Sequence, residues 1–174
     1  MLQKYQKGEY VCYGVNGVCL IDDVCEMTVA KKREWFYILR PITDRSSTFF
    51  IPVANDALTG KLRAVLSREE IDELIDSVHG DTDLWIEDRK ERMEHFRSML
   101  RECDPRGLLR MAAMLYYKKQ ELSAEGKKLS PSDISVLKQA ISLTDNEYAF
   151  ALQLSPDEIG HYIRTRVGIA DPVN

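Results

Sequence analysis

The spacing of apolar residues in this chain changes near residue 66, and this change limits the possible folds more than any other feature. Before it, short β-prone segments alternate with turn residues about every 8–12 positions. After it, apolar residues recur at helical spacing, and Ser or Asp stands where the helices would begin. The sequence therefore predicts an α+β fold, in which a small β-rich N-terminal domain precedes an all-helical C-terminal domain.

Five segments of the β-rich part are strand candidates. They are residues 10–13, 18–24, 35–39, 48–53 and 62–66. Asn16-Gly17 favours a tight turn after the first strand, and residues 31–33 form a polar hairpin tip. Pro41 and Pro52 end two strands, because proline has no N–H to donate to a neighbouring strand. Strands this short, separated by turns this frequent, indicate a small barrel or a half-open sheet.

Two helices are predicted directly after the β-rich part. Ser67 and Glu70 form an S-x-x-E capping box, and apolar residues follow it at helical spacing as far as about residue 78. Residues 79–81 are expected to form a stop and a linker. A second helix is predicted from about Asp83 to Arg101, with Trp85 near its start.

Three further helices are marked by prolines. Pro105, Pro131 and Pro156 each follow a capping residue and therefore suit the first position of a helix. The resulting domain assignment is 1–66 for the β-rich domain, 67–80 for a helix and linker, and 81–174 for a helical domain of about four helices.

Length and charge exclude several classes of protein. The chain has 174 residues, enough for one domain or two small ones, and 44% of them are hydrophobic. No apolar run approaches the roughly 18–20 residues that span a bilayer, and the N-terminus has no apolar signal core, so we expect neither a membrane span nor a secretory signal. The net charge is −4, so any contact with nucleic acid must be local.

The cysteines and the lack of catalytic motifs argue against several kinds of chemistry. Cys12, Cys19, Cys25 and Cys103 are too few to stabilise a chain of this length by disulfides, so we expect buried thiols in a reducing cytoplasm. The histidines have no carboxylate or cysteine at a recurrent spacing, and no glycine loop precedes a helix. We therefore expect no enzymatic activity, metal, cofactor or small-molecule substrate.

The predicted helix from Asp83 to Arg101 separates its charges. Lys90, Arg97 and Arg101 project within about 40° of one another beside the apolar residues. Such a stripe could bind phosphates while Trp85 meets bases. A solvated helix with Glu–Lys and Glu–Arg pairs explains the same charges, and Trp85 could instead be a core or interdomain residue. The charges alone favour that simpler interpretation.

Two adjacent aromatic residues, Phe49 and Phe50, lie in the fourth strand candidate. Because side chains alternate along a strand, one of them should point away from the core. It would then pack on the helical domain or contact a partner, and both remain open. The exposed edge of a small sheet can also pair with a partner's strand.

The order of features along the chain is itself informative. A strand reading Gly-Glu-Tyr-Val-Cys-Tyr is followed by a Gly-Val-Asn-Gly-Val turn, an aromatic strand, a run ending Phe-Ile-Pro-Val and a helix opening Ser-Arg-Glu-Glu. Further on, Trp85 precedes the basic residues Arg89, Lys90 and Arg92. This order resembles the CarD/CdnL family of bacterial transcription regulators. The N-terminal domain of that family also resembles the RNA polymerase-interacting domain of the transcription-repair coupling factor.

The resemblance implies a fold, two partners and a mechanism. The N-terminal domain would be a Tudor-like five-stranded barrel that binds the β subunit of RNA polymerase by pairing at a sheet edge. The helical domain would contact promoter DNA at the upstream fork of the transcription bubble and stabilise the open complex. The matching edge residues here are Ser47, Thr48, Phe49, Phe50 and Ile51.

The DNA-contacting residues are assigned in two ways. Trp85 matches the family's tryptophan, which wedges into the widened minor groove and hinders collapse of the bubble. Arg89 is assigned because basic residues after this tryptophan are part of the family resemblance. Lys90, Arg97 and Arg101 are assigned as phosphate contacts from helix geometry.

The chain departs from the family pattern at both predicted interfaces. Members commonly carry an arginine on the polymerase-binding edge near the position of Phe50, which is aromatic here. The residues after Trp85 are Ile86, Glu87 and Asp88, where the family often has polar or basic residues. Two acids beside the tryptophan weaken the attraction of this part of the chain to phosphates.

Two other classes of function are alternatives. The first is a protein-interaction module that binds no DNA and acts through its sheet edge and helical surface. Trp85 should be buried in such a module and accessible in a DNA-contacting protein. The second is an enzyme with an unrecognised site, which would need a deep pocket with convergent polar groups.

Overall fold

The computed structural model describes residues 4–79 and 85–169. The chain divides into two compact units, residues 1–65 and residues 66–174. Residues 80–84, which include most of the predicted linker and the predicted start of the second helix, lie outside the described residues.

The N-terminal unit is built on an antiparallel sheet. Its described strands occur in the order β4-β3-β2-β1-β5. They are β1 (Tyr10–Tyr13), β2 (Val18–Val29), β3 (Lys32–Pro41), β4 (Phe49–Pro52) and β5 (Leu62–Ala64), and a four-residue helix α1 (Asp56–Thr59) lies between β4 and β5. The ladders of the described residues join β4 to β3 and β5 to β1, so these two strands stand at the ends of the sheet. The predicted strands are confirmed. None of these ladders joins β4 to β5, so they do not close the sheet into a barrel.

The hairpin of β2 and β3 is longer than predicted. Its turn is Ala30-Lys31, with φ values of 50° and 66°, rather than residues 31–33. Two consecutive residues in the left-handed region form a turn whose twist suits a two-residue hairpin. The strands therefore continue to this turn, and their polar ends remain solvated, as the 3.7 Å pair of Arg33 and Glu26 illustrates.

One face of the sheet carries the core of the N-terminal unit. Val11, Ile21 and Leu39 are among its fully buried residues. The Tyr37 hydroxyl accepts a hydrogen bond from the backbone N–H of Lys4 at 3.0 Å, which ties the start of the chain to the sheet. Along β3, Tyr37 and Leu39 are buried, whereas Ile38 is half-buried and Arg40 is exposed, as expected from the period of two of a strand.

In the described part of the second unit, every regular element is a helix. Its described helices are α2 (Arg68–Val78), α3 (Arg89–Glu102), α4 (Pro105–Ala124), α5 (Pro131–Leu152) and α6 (Pro156–Arg166). The capping box of Ser67 and Glu70 is formed, and the three prolines occupy the first turns of α4, α5 and α6. These helix starts and the α+β class are confirmed. Among the described residues, no helix is long and apolar enough to cross a bilayer.

Two apolar clusters hold the helical unit together. One joins α3, α4 and α5 around Phe96, Met111 and Leu115. The other joins α2 to α4, α5 and α6 around Ile71 and Ile159. The helix that the sequence analysis grouped with the linker therefore packs within the helical unit.

The cysteines are present as thiols. Cys12, Cys19 and Cys103 are buried, and Cys25 is half-buried. Burial raises the pKa of Cys19 to about 11, which keeps that thiol protonated and a poor nucleophile. No group of His, Cys, Asp or Glu that could hold a metal ion occurs among the described residues.

Asp145 on α5 makes the stability of the helical unit depend on pH. Burial, and to a smaller extent the charge of Asp157, raises the pKa of Asp145 from 3.8 to about 7. Between these two values the folded state binds more protons than the unfolded chain, so this group lowers stability as pH rises. We expect Asp145→Asn to match the wild type near pH 4 and to be more stable by about 1–2 kcal/mol above pH 7, a value reduced for the partial exposure of the carboxyl. Urea denaturation followed by far-UV circular dichroism measures the difference, and parallel pH profiles of the two proteins would contradict it.

Candidate functional site

The first candidate surface is the outer edge of β4. Leu39 faces Phe49 and Ile38 faces Phe50 across the ladder that joins β4 to β3. The side of β4 away from β3 has no partner strand among the described residues. A strand in this position presents backbone N–H and C=O groups that can pair with another chain.

The side chains of β4 alternate between the core and the surface. Ile51 is 3% exposed and Phe50 is 51% exposed. Phe49 is half-buried, with its ring centroid 5.7 Å from that of Tyr13. As the alternation predicts, one aromatic of the pair points outward, and it is Phe50. Ile51 supports the strand from the core and is not accessible to a partner's side chain.

A short polar turn leads into β4. The Ser46 hydroxyl donates to Asp44 at 2.6 Å, and the Ser47 hydroxyl donates to the other carboxylate oxygen. These hydrogen bonds lower the pKa of Asp44, and the one from Ser46 has the largest effect. Ser47 is thus engaged with Asp44 and half-buried, whereas Thr48 is exposed at the start of the edge.

The second candidate surface surrounds Trp85 in the helical unit. Trp85 is half-buried and packs against the cluster of α3, α4 and α5. The guanidinium carbon of Arg92 lies 4.0 Å from the centroid of its ring, and Lys118 Nζ lies 5.1 Å from it. Both distances are within the range of cation–π attraction. The indole N–H is buried and has no hydrogen-bond partner among the described residues. The ring therefore has a defined position, with only part of its surface accessible.

The predicted helix start near Asp83 differs from the structure. Among the described residues α3 begins at Arg89, and the Asp88 side chain accepts a hydrogen bond from the backbone N–H of Glu91 as an N-cap. Arg92 donates to the carbonyl oxygens of Ile86 at 2.6 Å and Glu87 at 3.1 Å, so these carbonyls are held outside the helix. Trp85 consequently lies on a non-helical segment in front of the helix rather than on its first turn.

A buried ion pair fixes this segment. Arg92 is 5% exposed and donates from Nε and Nη2 to the two carboxylate oxygens of Asp133, each at 3.2 Å. Burial acts to raise the pKa of Asp133, but hydrogen bonds from Arg92 and Ser130 outweigh it, and the pKa is lowered. Arg92 thus links Asp133 on α5 to the carbonyls beside Trp85 and to the tryptophan ring.

The predicted phosphate contacts lie on the exposed surface of α3. Lys90, Arg97 and Arg101 are all exposed. None of the three forms an ion pair with another described residue, so the Glu–Lys and Glu–Arg pairs of the simpler interpretation are not made. Arg89 is also exposed, and its Nη2 donates to the Ser132 hydroxyl at 3.1 Å. The structure therefore places three unpaired cations and one partly engaged arginine on the helix that follows Trp85.

The sequence analysis missed the residues that hold Trp85. Local patterns mark Arg92 only as a basic residue after the tryptophan, and they assign neither Asp133 nor Lys118 a place beside it. A signal was present, because Arg92 precedes Phe96 by four residues and Leu100 by eight, which are helical spacings. A charged residue in phase with two core residues predicts a buried partner of opposite charge.

Comparison with known protein families identifies the N-terminal unit. Residues 5–66 match the family model of the CarD-like/TRCF RID domain. The match covers the described sheet and ends where the helical unit begins. No curated protein matches the chain. The N-terminal unit of this protein is therefore a CarD-like/TRCF RID domain, of the kind that interacts with RNA polymerase in transcription.

Proposed function

We propose that this protein is a bacterial, cytoplasmic transcription regulator without enzymatic activity. It binds the β subunit of RNA polymerase through the edge of β4. It contacts promoter DNA through Trp85 and the basic residues of α3. These two contacts together stabilise the open complex. The observation that carries the proposal is an accessible edge strand with an outward Phe50 in a domain of the RID family.

Edge pairing accounts for the polymerase contact in physical terms. Backbone hydrogen bonds along β4 would supply affinity, and the outward side chain of Phe50 would fill an apolar site on the partner strand. Pro52 limits this pairing at the end of the strand because it has no N–H to donate. The contact is therefore expected to centre on Thr48, Phe49 and Phe50, with Ser47 orienting the turn and Ile51 supporting the strand from within.

The DNA contact rests on shape and local charge. A partly accessible tryptophan in front of the helix that carries Lys90, Arg97 and Arg101 would fill the space left by unstacked bases while the cations meet phosphates. A ligand that binds the open complex more tightly than the closed one raises the population of the open complex. Glu87 and Asp88 are exposed, follow Trp85 closely in the chain and would reduce the attraction of this segment to phosphates.

Substitution of Phe50 tests the polymerase contact. We expect Phe50→Asp to weaken binding to purified RNA polymerase at least about tenfold, because a charge would replace a buried aromatic at the centre of the contact. Val29→Asp is a matched control, since Val29 is 48% exposed in the hairpin of the same sheet. Biolayer interferometry with immobilised polymerase measures both. Equal affinities of the two variants would rule out the β4 edge, and a wild-type protein that does not bind polymerase would refute the proposal as a whole.

A second candidate is the interaction module that binds no DNA. The observation that favours it is the packing of Trp85 against the core of the helical unit. In that case the sheet edge would still bind polymerase, but the helical surface would bind another protein. Open-complex lifetimes separate the two candidates.

A further inference from the structure

A cavity opens in the helical unit among α2, α4, α5 and α6. Its volume is about 160 Å³, and its walls are mostly aliphatic. An apolar cavity of about 150 Å³ is large enough to hold a benzene ring. The space is left open by three small wall residues, Ala112, Ala113 and Gly160. Ile141 also lines the cavity and is 40% exposed to solvent. The other apolar wall residues include Ile75, Val78, Leu109 and Ile163.

One carboxyl group in this wall has no counter-charge. Asp145 lines the cavity from α5, and it forms no hydrogen bond or ion pair with another described residue. Asp157 on α6 adds a second negative charge nearby, and together with burial it raises the pKa of Asp145. A carboxylate in this position gains from any cation that enters the cavity.

The other polar groups of the wall do not neutralise Asp145. His79, Tyr116, Tyr117 and Arg164 also line the cavity. The guanidinium of Arg164 lies over Gly160, where a Cβ would be 3.0 Å from Nη1, and it has interactions of its own. None of these four residues forms a hydrogen bond or an ion pair with Asp145. The cavity therefore combines an apolar interior with one unpaired acid.

We propose that this cavity binds a small amphipathic amine, whose ring or short alkyl chain fills the aliphatic interior and whose ammonium group donates hydrogen bonds to the Asp145 carboxylate. The ligand class follows from two properties of the wall. The aliphatic interior requires an apolar body, and the Asp145 carboxylate requires a cationic head group. The proposal concerns the helical unit alone and does not depend on the contacts with polymerase or DNA.

Two probes with the same body and opposite charge test the ligand class. We expect phenethylamine to bind at least about tenfold more tightly than phenylacetate, with a dissociation constant in the millimolar range or below. Titration of the full chain, followed by NMR shifts of the Ile75 and Ile163 methyl groups, measures both affinities and locates the probe. Similar affinities for the two probes, or no shifts up to about 10 mM amine, would overturn the proposal.

Substitution of Asp145 tests the role of the carboxyl. Asp145→Asn should reduce the preference for the amine at least about fivefold while toluene still binds, which would show that the cavity remains intact. Asp56→Asn is the control, because it removes the same charge from an exposed position in the N-terminal unit. An unchanged preference in Asp145→Asn, or an equal loss in Asp56→Asn, would refute the assignment of Asp145.

Discussion

Replacement of Asp133 with alanine is expected to lower the free energy of unfolding of the helical unit by about 3–5 kcal/mol. The variant leaves the guanidinium of Arg92 in an interior site, where the residue is 5% exposed, without its two carboxylate hydrogen bonds. Removal of one partner from a buried pair costs more than the pair contributes, because the remaining charge stays desolvated. Urea denaturation followed by far-UV circular dichroism measures the loss, since the helices dominate that signal.

Two further variants determine whether the loss comes from the unpaired charge. Glu73→Ala removes an exposed acid from α2 and should change stability by less than about 0.5 kcal/mol. Arg92→Met combined with Asp133→Ala removes both charges, and we expect it to recover at least about 1 kcal/mol relative to Asp133→Ala. A double variant that is less stable than Asp133→Ala would show that packing and the carbonyl contacts of Arg92 matter more than its charge.

The same substitution should change the surroundings of Trp85. Arg92 bonds to the carbonyls of Ile86 and Glu87, and its guanidinium lies 4.0 Å from the indole centroid. In a Trp35→Phe background, where Trp85 is the remaining tryptophan, Asp133→Ala should shift the emission to longer wavelength while the protein is still folded. An unchanged spectrum would mean that the core alone holds the ring.

Replacement of Trp85 with alanine is expected to abolish the increase in open-complex lifetime that the proposed function requires. A ring that occupies the space of unstacked bases contributes about 1–3 kcal/mol, so the lifetime should fall at least about fivefold toward that of polymerase alone. Trp85→Phe retains an apolar ring of smaller area and should have an intermediate effect. Promoter complexes challenged with a competitor give the lifetimes directly.

Binding to polymerase is the control for this experiment. Trp85→Ala should bind polymerase as the wild type does, because β4 and Trp85 belong to different units. If the variant extends the lifetime as much as the wild type, Trp85 is not the wedge, and the effect comes from polymerase or from the cations of α3. If neither protein changes the lifetime although both bind polymerase, the interaction module is the better description.

Local signals in the sequence were sufficient to predict the regular elements. Helix starts at Ser67, Pro105, Pro131 and Pro156 are confirmed because a capping side chain or a proline satisfies the first turn of a helix without any tertiary contact. The alternation of one strand also predicted that one of Phe49 and Phe50 points outward, and the structure shows that it is Phe50. The match of residues 5–66 to the RID domain agrees with the order of motifs in that part of the chain.

Other features depended on residues far apart in the chain. The edge position of β4 is a property of the whole sheet, since the same strand could have been central if another segment had paired with its outer side. The start of α3 depended on Arg92, which pairs with a residue 41 positions later and draws the carbonyls near Trp85 out of the helix. The cavity beside Asp145 required four helices to meet at small side chains.

The sequence by itself determined the α+β class, the strands, most helix boundaries and the candidate residues at both surfaces. The class, the strands and the helix boundaries are consequences of periodicity, capping and turn chemistry, which act over a few residues, whereas most of the candidate residues follow from the family resemblance. Only the tertiary structure decided that Trp85 is held against the core by Arg92, that α2 packs within the helical unit and that Asp145 has no ion-pair partner among the described residues. Burial and ion pairing depend on distances in space between residues that are remote in the chain, and local sequence does not encode those distances.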